Sequence, residues 1–212
     1  MHIALVGATG FIGSAILKEA LARGHRVTAL AGHPEKLAAS PNLVAVAADV
    51  LDRERLAAQL RGHDAVISAF SGHAQKDTYD YYMRGIRSII AATEQADVPR
   101  LLVVGGAGSL EVSPGVQVLD SPGFPAMWRQ TAEGARDALA LLREQAWLNW
   151  TMLSPSASIA PGQRTGRFRL GLDQLLVDAA GESRISVEDY AVAMVDELEK
   201  PAHARRRFTV GY

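Results

Sequence analysis

The most constraining stretch lies at the amino end. An apolar run, residues 3–6, leads without a break into Gly7-Ala8-Thr9-Gly10-Phe11-Ile12-Gly13. Apolar residues then recur at Ile12, Ala15, Ile16, Ala20 and Leu21, the period of a helix buried on one face, and Gly24 supplies a stop. Glycine at these places serves separate ends. Gly7 lets the chain turn sharply off a strand, Gly10 lets backbone approach a pyrophosphate with no Cβ in the way, and Gly13 lets helix and strand pack closely. The first helical turn then offers unpaired N–H groups and a positive dipole end to an anion. No Gly-Lys-Ser/Thr follows, so this is not a Walker loop. Gly7, Thr9, Gly10, Phe11, Ile12 and Gly13 are therefore assigned to a dinucleotide phosphate. The competing reading is a purely structural turn.

The rest of the chain repeats the strand–helix rhythm. Nearly continuous apolar runs at 27–30, 43–46, 65–68, 101–104 and 150–153 read as strands covered on both faces. Helical stretches are expected at 12–23, 34–39, 53–60 (capped by Asp52), 79–95 and 128–144. The alternation predicts an α/β fold, a Rossmann-type doubly wound parallel sheet with right-handed crossovers. After Ser154 the rhythm breaks. Residues 155–186 are rich in Gly, Ser, Pro and Arg, with short strands expected at 167–170 and 175–178. Ser186 reads as the cap of a helix running to about Glu199, with Asp189 at the third helical position, and 207–210 as a last strand. The expectation is one domain over 1–212, in which 155–212 contributes a small C-terminal excursion on the substrate side.

Composition narrows the classes. There are no cysteines among 212 residues, which removes disulfides and thiolate chemistry and points to the cytoplasm. A net charge of -1 argues against nucleic acid. The basic run Arg205-Arg206-Arg207 reads as the polar lead-in to a strand rather than a phosphate patch. No apolar stretch reaches the ~18–20 residues of a membrane span. The six histidines show no metal-binding spacing, so no metal is expected. A small-molecule partner and a monomer or homodimer complete this reading.

The glycine spacing, with Gly24-His25-Arg26-Val27, resembles the short-chain dehydrogenase/reductase superfamily in its atypical branches. Residues 48–52, Val103-Val104-Gly105-Gly106-Ala107-Gly108-Ser109-Leu110, Leu153-Ser154-Pro155, the 184–191 segment and 207–210 resemble a bacterial NAD(P)-binding, NADH-flavin reductase family, similar to NmrA-like proteins and biliverdin reductase B. The resemblance covers essentially the whole chain. It implies an NAD(P)H-dependent oxidoreductase passing hydride to a flavin or quinone, the flavin being substrate. The alternatives are an NmrA-like redox sensor without turnover, or an epimerase or dehydratase.

An NAD site usually carries a carboxylate at the end of the second strand, about 20 residues past the glycines. Here that end reads Ala31-Gly32-His33-Pro34-Glu35-Lys36. The missing carboxylate puts NADP(H) ahead of NAD(H). The resemblance calls for an Arg where Gly32 stands, and His33 and Lys36 are the replacements, unless they are a turn residue and a solvated lysine. By resemblance Asp49 meets the adenine amino group; otherwise it caps the next helix. Ser68, Ala69 and Phe70, at the end of the fourth strand, should line a ribose. The resembling segments add Val50, Gly105, Gly106, Ser154 and Pro155.

Ordinary members of the superfamily use Ser, Tyr and Lys, with Tyr-x-x-x-Lys on one helix so that the ammonium lowers the tyrosine pKa. The corresponding stretch, 126–136, has neither Tyr nor Lys. Ser109 stands in the position of the superfamily serine. It is either the catalytic hydrogen-bond donor or a turn serine. His73, Phe124 and Trp128 are candidates for the substrate wall, against core or lid packing. Tyr79, Tyr81 and Tyr82 read as packing rather than as acids.

Overall fold

The computed structural model describes residues 1–73 and 75–212. Six strands are expected up to residue 153, with 167–170, 175–178 and 207–210 beyond it, and the main sheet has eight. They are β1 (His2–Val6), β2 (Arg26–Ala31), β3 (Leu43–Ala47), β4 (Ala65–Ser68), β5 (Leu101–Val104), β8 (Trp150–Ser154), β10 (Arg169–Gly171) and β12 (Arg206–Gly211). Their order is β10-β12-β8-β5-β4-β1-β2-β3. The chain runs outward from β1 to β3, then restarts on the other side of β1 with β4. This switch opens a crevice at the carboxyl ends of β1 and β4. All pairings are parallel except that of β10 with β12.

Helices cover both faces. On one, α1 (Phe11–Ala22) and α5 (Val187–Glu199) bury Ile16, Ala20, Tyr190 and Met194 against Ile3, Leu5, Ile67 and Phe208. On the other, α2 (Arg53–Leu60), α3 (Thr78–Gln95) and α4 (Arg129–Arg143) bury Leu56, Ile86, Ile89 and Leu139 against Val66, Leu101 and Met152. The helix signals are realised locally. Gly24 takes φ +79° after α1, with its N–H on the Leu21 carbonyl at 2.9 Å and the His25 N–H on Ala20 at 3.1 Å. Asp52 accepts from the Arg55 N–H at 3.1 Å. No helix among the described residues is long and apolar enough to cross a membrane.

Two expectations are corrected, and several short strands are new. The stretch 34–39 holds only a 3-10 turn, Pro34–Lys36, because Leu37 is already extended and Pro41 bars Ser40 from the helical region. Residues 175–178 form no strand. The Leu175 N–H goes to the Glu111 carbonyl and the Asp178 N–H to Glu182, while Leu176 seats itself over Gly171 and Gly211. The excursion contributes β10 antiparallel to β12, and β9 (Ser158–Ala160) parallel to β11 (Arg184–Ser186). A further hairpin, β6 (Glu111–Ser113) with β7 (Val116–Gln117), follows β5. It was not legible because its strands are three and two residues long.

The Ser186 cap is present, its Oγ accepting from the Asp189 N–H at 3.0 Å. The Asp189 carboxylate does not reach back to the cap. It accepts from the N–H groups of Thr165 and Gly166, both at 2.8 Å, from the Thr165 hydroxyl at 2.6 Å and from the Tyr212 hydroxyl at 2.8 Å. Burial pushes this carboxyl up, but the donors more than offset it and the net shift is down. One buried acid thus ties α5 to both the excursion and the chain end.

Candidate functional site: a dinucleotide crevice

At the end of β1 the backbone does the work. Gly7 takes φ +82°, and a Cβ on it would lie 2.6 Å from the Ala69 carbonyl oxygen, so β1 and β4 approach through this residue. A Cβ on Gly13 would stand 2.1 Å from the Gly7 oxygen. These two glycines are required by the protein's own packing. Gly10 is different. It is exposed, has an ordinary φ of -77°, and a Cβ there would meet only the Gly7 oxygen at 3.3 Å. The Gly10 N–H folds back on that oxygen at 3.0 Å, and Ser14 N–H is the first to reach back into the turn, on Gly10 at 2.9 Å. The amides of Phe11, Ile12 and Gly13 find no acceptor among the described residues, and α1 has no side-chain cap.

On the β2 and β3 side, His33 and Lys36 are exposed beside Gly32. The His33 ring Nδ1 lies 3.0 Å from Glu35 Oε1, so a carboxylate does stand near this end, held on the imidazole; a hydrogen bond from its own backbone N–H, and then this contact, keep the Glu35 carboxyl below its usual range. Asp49 is exposed, and its Oδ1 accepts from the Leu51 N–H at 2.9 Å, forming the turn that precedes α2 rather than capping it. Val50 is buried against the α2–α3 layer. A shallow concavity of about 530 Å³ adjoins this turn, lined by Leu51–Glu54, Arg87, Ser88 and Ala91.

On the β4, β5 and β8 side, the Ser68 hydroxyl is buried with no partner among the described residues. Phe70 stacks on Tyr82 at 6.0 Å and fills the space above Gly85, so its ring belongs largely to the α3 packing. Gly105 donates to the Leu153 carbonyl at 2.8 Å, and the buried Tyr190 hydroxyl donates to the same oxygen at 2.7 Å. Gly106 lies against Ala135, and Ser154 and Pro155 are buried at the end of β8.

Ser109 is buried in a 3-10 turn, Ala107–Ser109, after β5. Arg207 holds it there, donating to its Oγ at 3.3 Å, to its carbonyl at 3.4 Å and to Ser154 Oγ at 3.5 Å. The guanidinium also forks onto Asp173, with Nε at 3.0 Å. Arginine only donates, so Ser109 Oγ accepts here and its own proton has no acceptor among the described residues. Arg207, read from the sequence as a polar lead-in, is thus a buried member of the site. The available signal was period-two alternation, which puts Arg207 on the face of Thr209 rather than of Phe208.

The substrate candidates cluster in part. His73 Nε2 lies 2.9 Å from Thr131 Oγ1, and its ring meets Trp128 edge-on at 6.1 Å. Arg129 sits over the Phe124 ring at 5.7 Å. Thr131 and Arg129 were not foreseen. Tyr79 donates to Asp137 at 2.6 Å, which raises its pKa and ties α3 to α4. Helix α4 itself contains no Tyr and no Lys.

A nucleotide diphosphate fits this constellation: three open amides, a glycine with no packing reason to be one, and a buried hydroxyl without a partner. The comparison with known proteins agrees. A family model described as NAD(P)H-binding matches residues 7–201. The chain belongs to the NAD(P)H-binding family. It is 40% identical to the uncharacterized protein YwnB of Bacillus subtilis, over 99% of this chain and 98% of that one. A Bacteroides thetaiotaomicron structure, provisionally named an epimerase, superimposes with a TM-score of 0.94 at 44% identity, covering 100% of this chain and 96% of that one. A Streptococcus pneumoniae structure, provisionally named an NADH-flavin reductase, gives 0.85 at 35% identity, covering 100% and 99%. The family is thereby NAD(P)H-binding, and the fold is that of these solved relatives.

Proposed function

We propose that this member of the family is a reductase that uses NADPH to reduce a flat conjugated acceptor, a flavin or quinone, at the crevice between β1 and β4. The observation that carries the proposal is the open first turn of α1 after β1, joined to a turn after β5 that bears Ser109 and a helix α4 lacking Tyr and Lys. The amides of Phe11, Ile12 and Gly13 bind the diphosphate, with Gly7 and Gly13 holding the turn in shape. Asp49 and Val50 take the adenine end; Ser68, Ala69, Phe70, Gly105, Gly106, Ser154 and Pro155 line the ribose and ring. When bound, the nicotinamide supplies the hydride.

The chain's own contribution is positioning. Ser109, with its oxygen fixed by Arg207, points its proton to a ligand oxygen, the one strong orientation available beyond stacking. His73, Trp128 and Phe124 form the wall of the acceptor site, and Thr131 fixes the His73 ring. His33 and Lys36 receive the 2′-phosphate. The chain works in the cytoplasm, where reduced dinucleotide is supplied, as a monomer or homodimer. Residues 155–186 close one end of the site.

A steady-state assay with NADPH and FMN, riboflavin or a small quinone tests this, read at the nicotinamide absorbance band. Turnover is expected, reduced about 10- to 100-fold in Ser109→Ala. Tight dinucleotide binding without turnover on any of these acceptors would replace the reductase with a redox sensor.

A further inference from the structure

Arg205-Arg206-Arg207 is only partly spent on Ser109. With Arg143, from the last turn of α4, the three arginines line a concavity of about 230 Å³ whose other walls are Trp150, Leu172 and Asp173. Trp150 and Arg206 begin β8 and β12, so the concavity opens toward the amino ends of the strands, opposite the glycine turn.

Its charge is unbalanced. Four guanidiniums face one carboxylate. Asp173 is shared, taken by the fork of Arg207 and lying 3.6 Å from Arg143 Nη2. The Arg207 side chain is 3% exposed and cannot turn to water. The side chains of Arg205 and Arg206 donate to no acceptor among the described residues, and a guanidinium carries five N–H donors. Like charges gathered around one concavity repel one another less when an anion is shared among them. Planar forks of this kind match the oxygens of a phosphate bidentately. The pocket is too small for a polyanion, and the chain's net charge of -1 gives a nucleic acid no extended basic face.

We propose that this pocket binds a small oxyanion, a phosphate group free in solution or carried as a monoester by a small molecule. Arg143, Arg205 and Arg206 supply the donors; Arg207, whose five N–H groups are taken by Ser109, Ser154 and Asp173, adds only its charge, and Trp150 and Leu172 form an apolar wall beside it.

Amide NMR of the full chain, titrated with inorganic phosphate and separately with glycerol phosphate, tests the proposal in the presence and absence of saturating NADPH. The expected result is a set of shifts at Arg143, Leu172 and Arg206 that NADPH leaves in place. Affinity should fall about tenfold in Arg206→Ala and further in Arg143→Ala with Arg206→Ala, both exposed substitutions, while Arg61→Ala leaves it unchanged. Tighter binding of glycerol phosphate than of phosphate would assign the site to a monoester; equal binding assigns it to the free ion. Shifts confined to the glycine turn and erased by NADPH, binding indifferent to Arg206, or tighter binding of duplex DNA than of either anion would each overturn it.

Discussion

The turns that follow β1 and β5 are built by opposite means. The β1–α1 turn is made of backbone: a left-handed Gly7, a Gly13 against its oxygen, and three amides left open, with no side-chain cap. The β5 turn is made of side chains sent from far along the chain. Arg207 grips Ser109 from 98 residues away, and Tyr190 grips the Leu153 carbonyl that also holds Gly105. A backbone-built site needs only local conformations, which glycine encodes at fixed spacing. A side-chain-built site needs the whole sheet to be assembled first. The first turn is therefore expected to tolerate loss of the C-terminal contacts, and the second is not.

That contrast can be broken most forcefully at Gly7. Gly7→Val puts a branched side chain at φ +82° and against the Ala69 oxygen. It should cost about 3–5 kcal/mol in urea unfolding and abolish dinucleotide binding; a well-folded variant that still binds would show that the turn is not the site. Next comes Asp189→Ala, which leaves the Thr165 and Gly166 amides without their acceptor and the Tyr212 hydroxyl with Ser186 Oγ alone. A loss of about 2–4 kcal/mol is expected, with dinucleotide affinity kept. Coupled loss of affinity would erase the distinction between the two turns.

Arg207→Met separates holding Ser109 from binding the cofactor. Acceptor turnover should fall about tenfold with dinucleotide Kd nearly constant, as expected when a supporting partner of a site residue is lost; isothermal titration beside the steady-state assay resolves the two. A smaller effect is expected from Glu35→Gln, which removes the carboxylate on His33 and should tighten NADPH over NADH about threefold.

The smallest concerns the far end of the sheet. Burial lowers the His2 pKa, helped by the neighbouring His63 ring at 4.0 Å. The unfolded chain therefore binds this proton more readily than the folded one. Stability should rise with pH from the depressed folded value up to about 6.5 and level off above it. Thermal melts of wild type and His2→Asn between pH 5 and 8 should differ in slope by a degree or so, with the dinucleotide site indifferent.

Legibility follows the same division. The strand–helix order, the Asp52 cap and the Gly24 stop were readable because each is decided within a few residues. So was the glycine turn. A strand at 167–170 was readable and stands at Arg169–Gly171, but its antiparallel pairing, the paired β9 and β11, and the seat of Leu176 were not, because loop carbonyls and two glycines elsewhere in the chain decide them. The role of Asp189 was half readable: its amide joins the local cap, but its carboxylate answers to Thr165 and Tyr212. Arg207 was missed for the same reason. A charge next to an apolar strand reads as surface until its partners, Asp173 and Ser109, are known to lie above it.

The most direct test of the whole reading is equilibrium titration of the folded chain with NADPH and NADH, followed by nicotinamide fluorescence. Saturable one-to-one binding is predicted, NADPH the tighter, abolished in Gly7→Val and preserved in Asp189→Ala. Folded protein that takes up neither dinucleotide would contradict it.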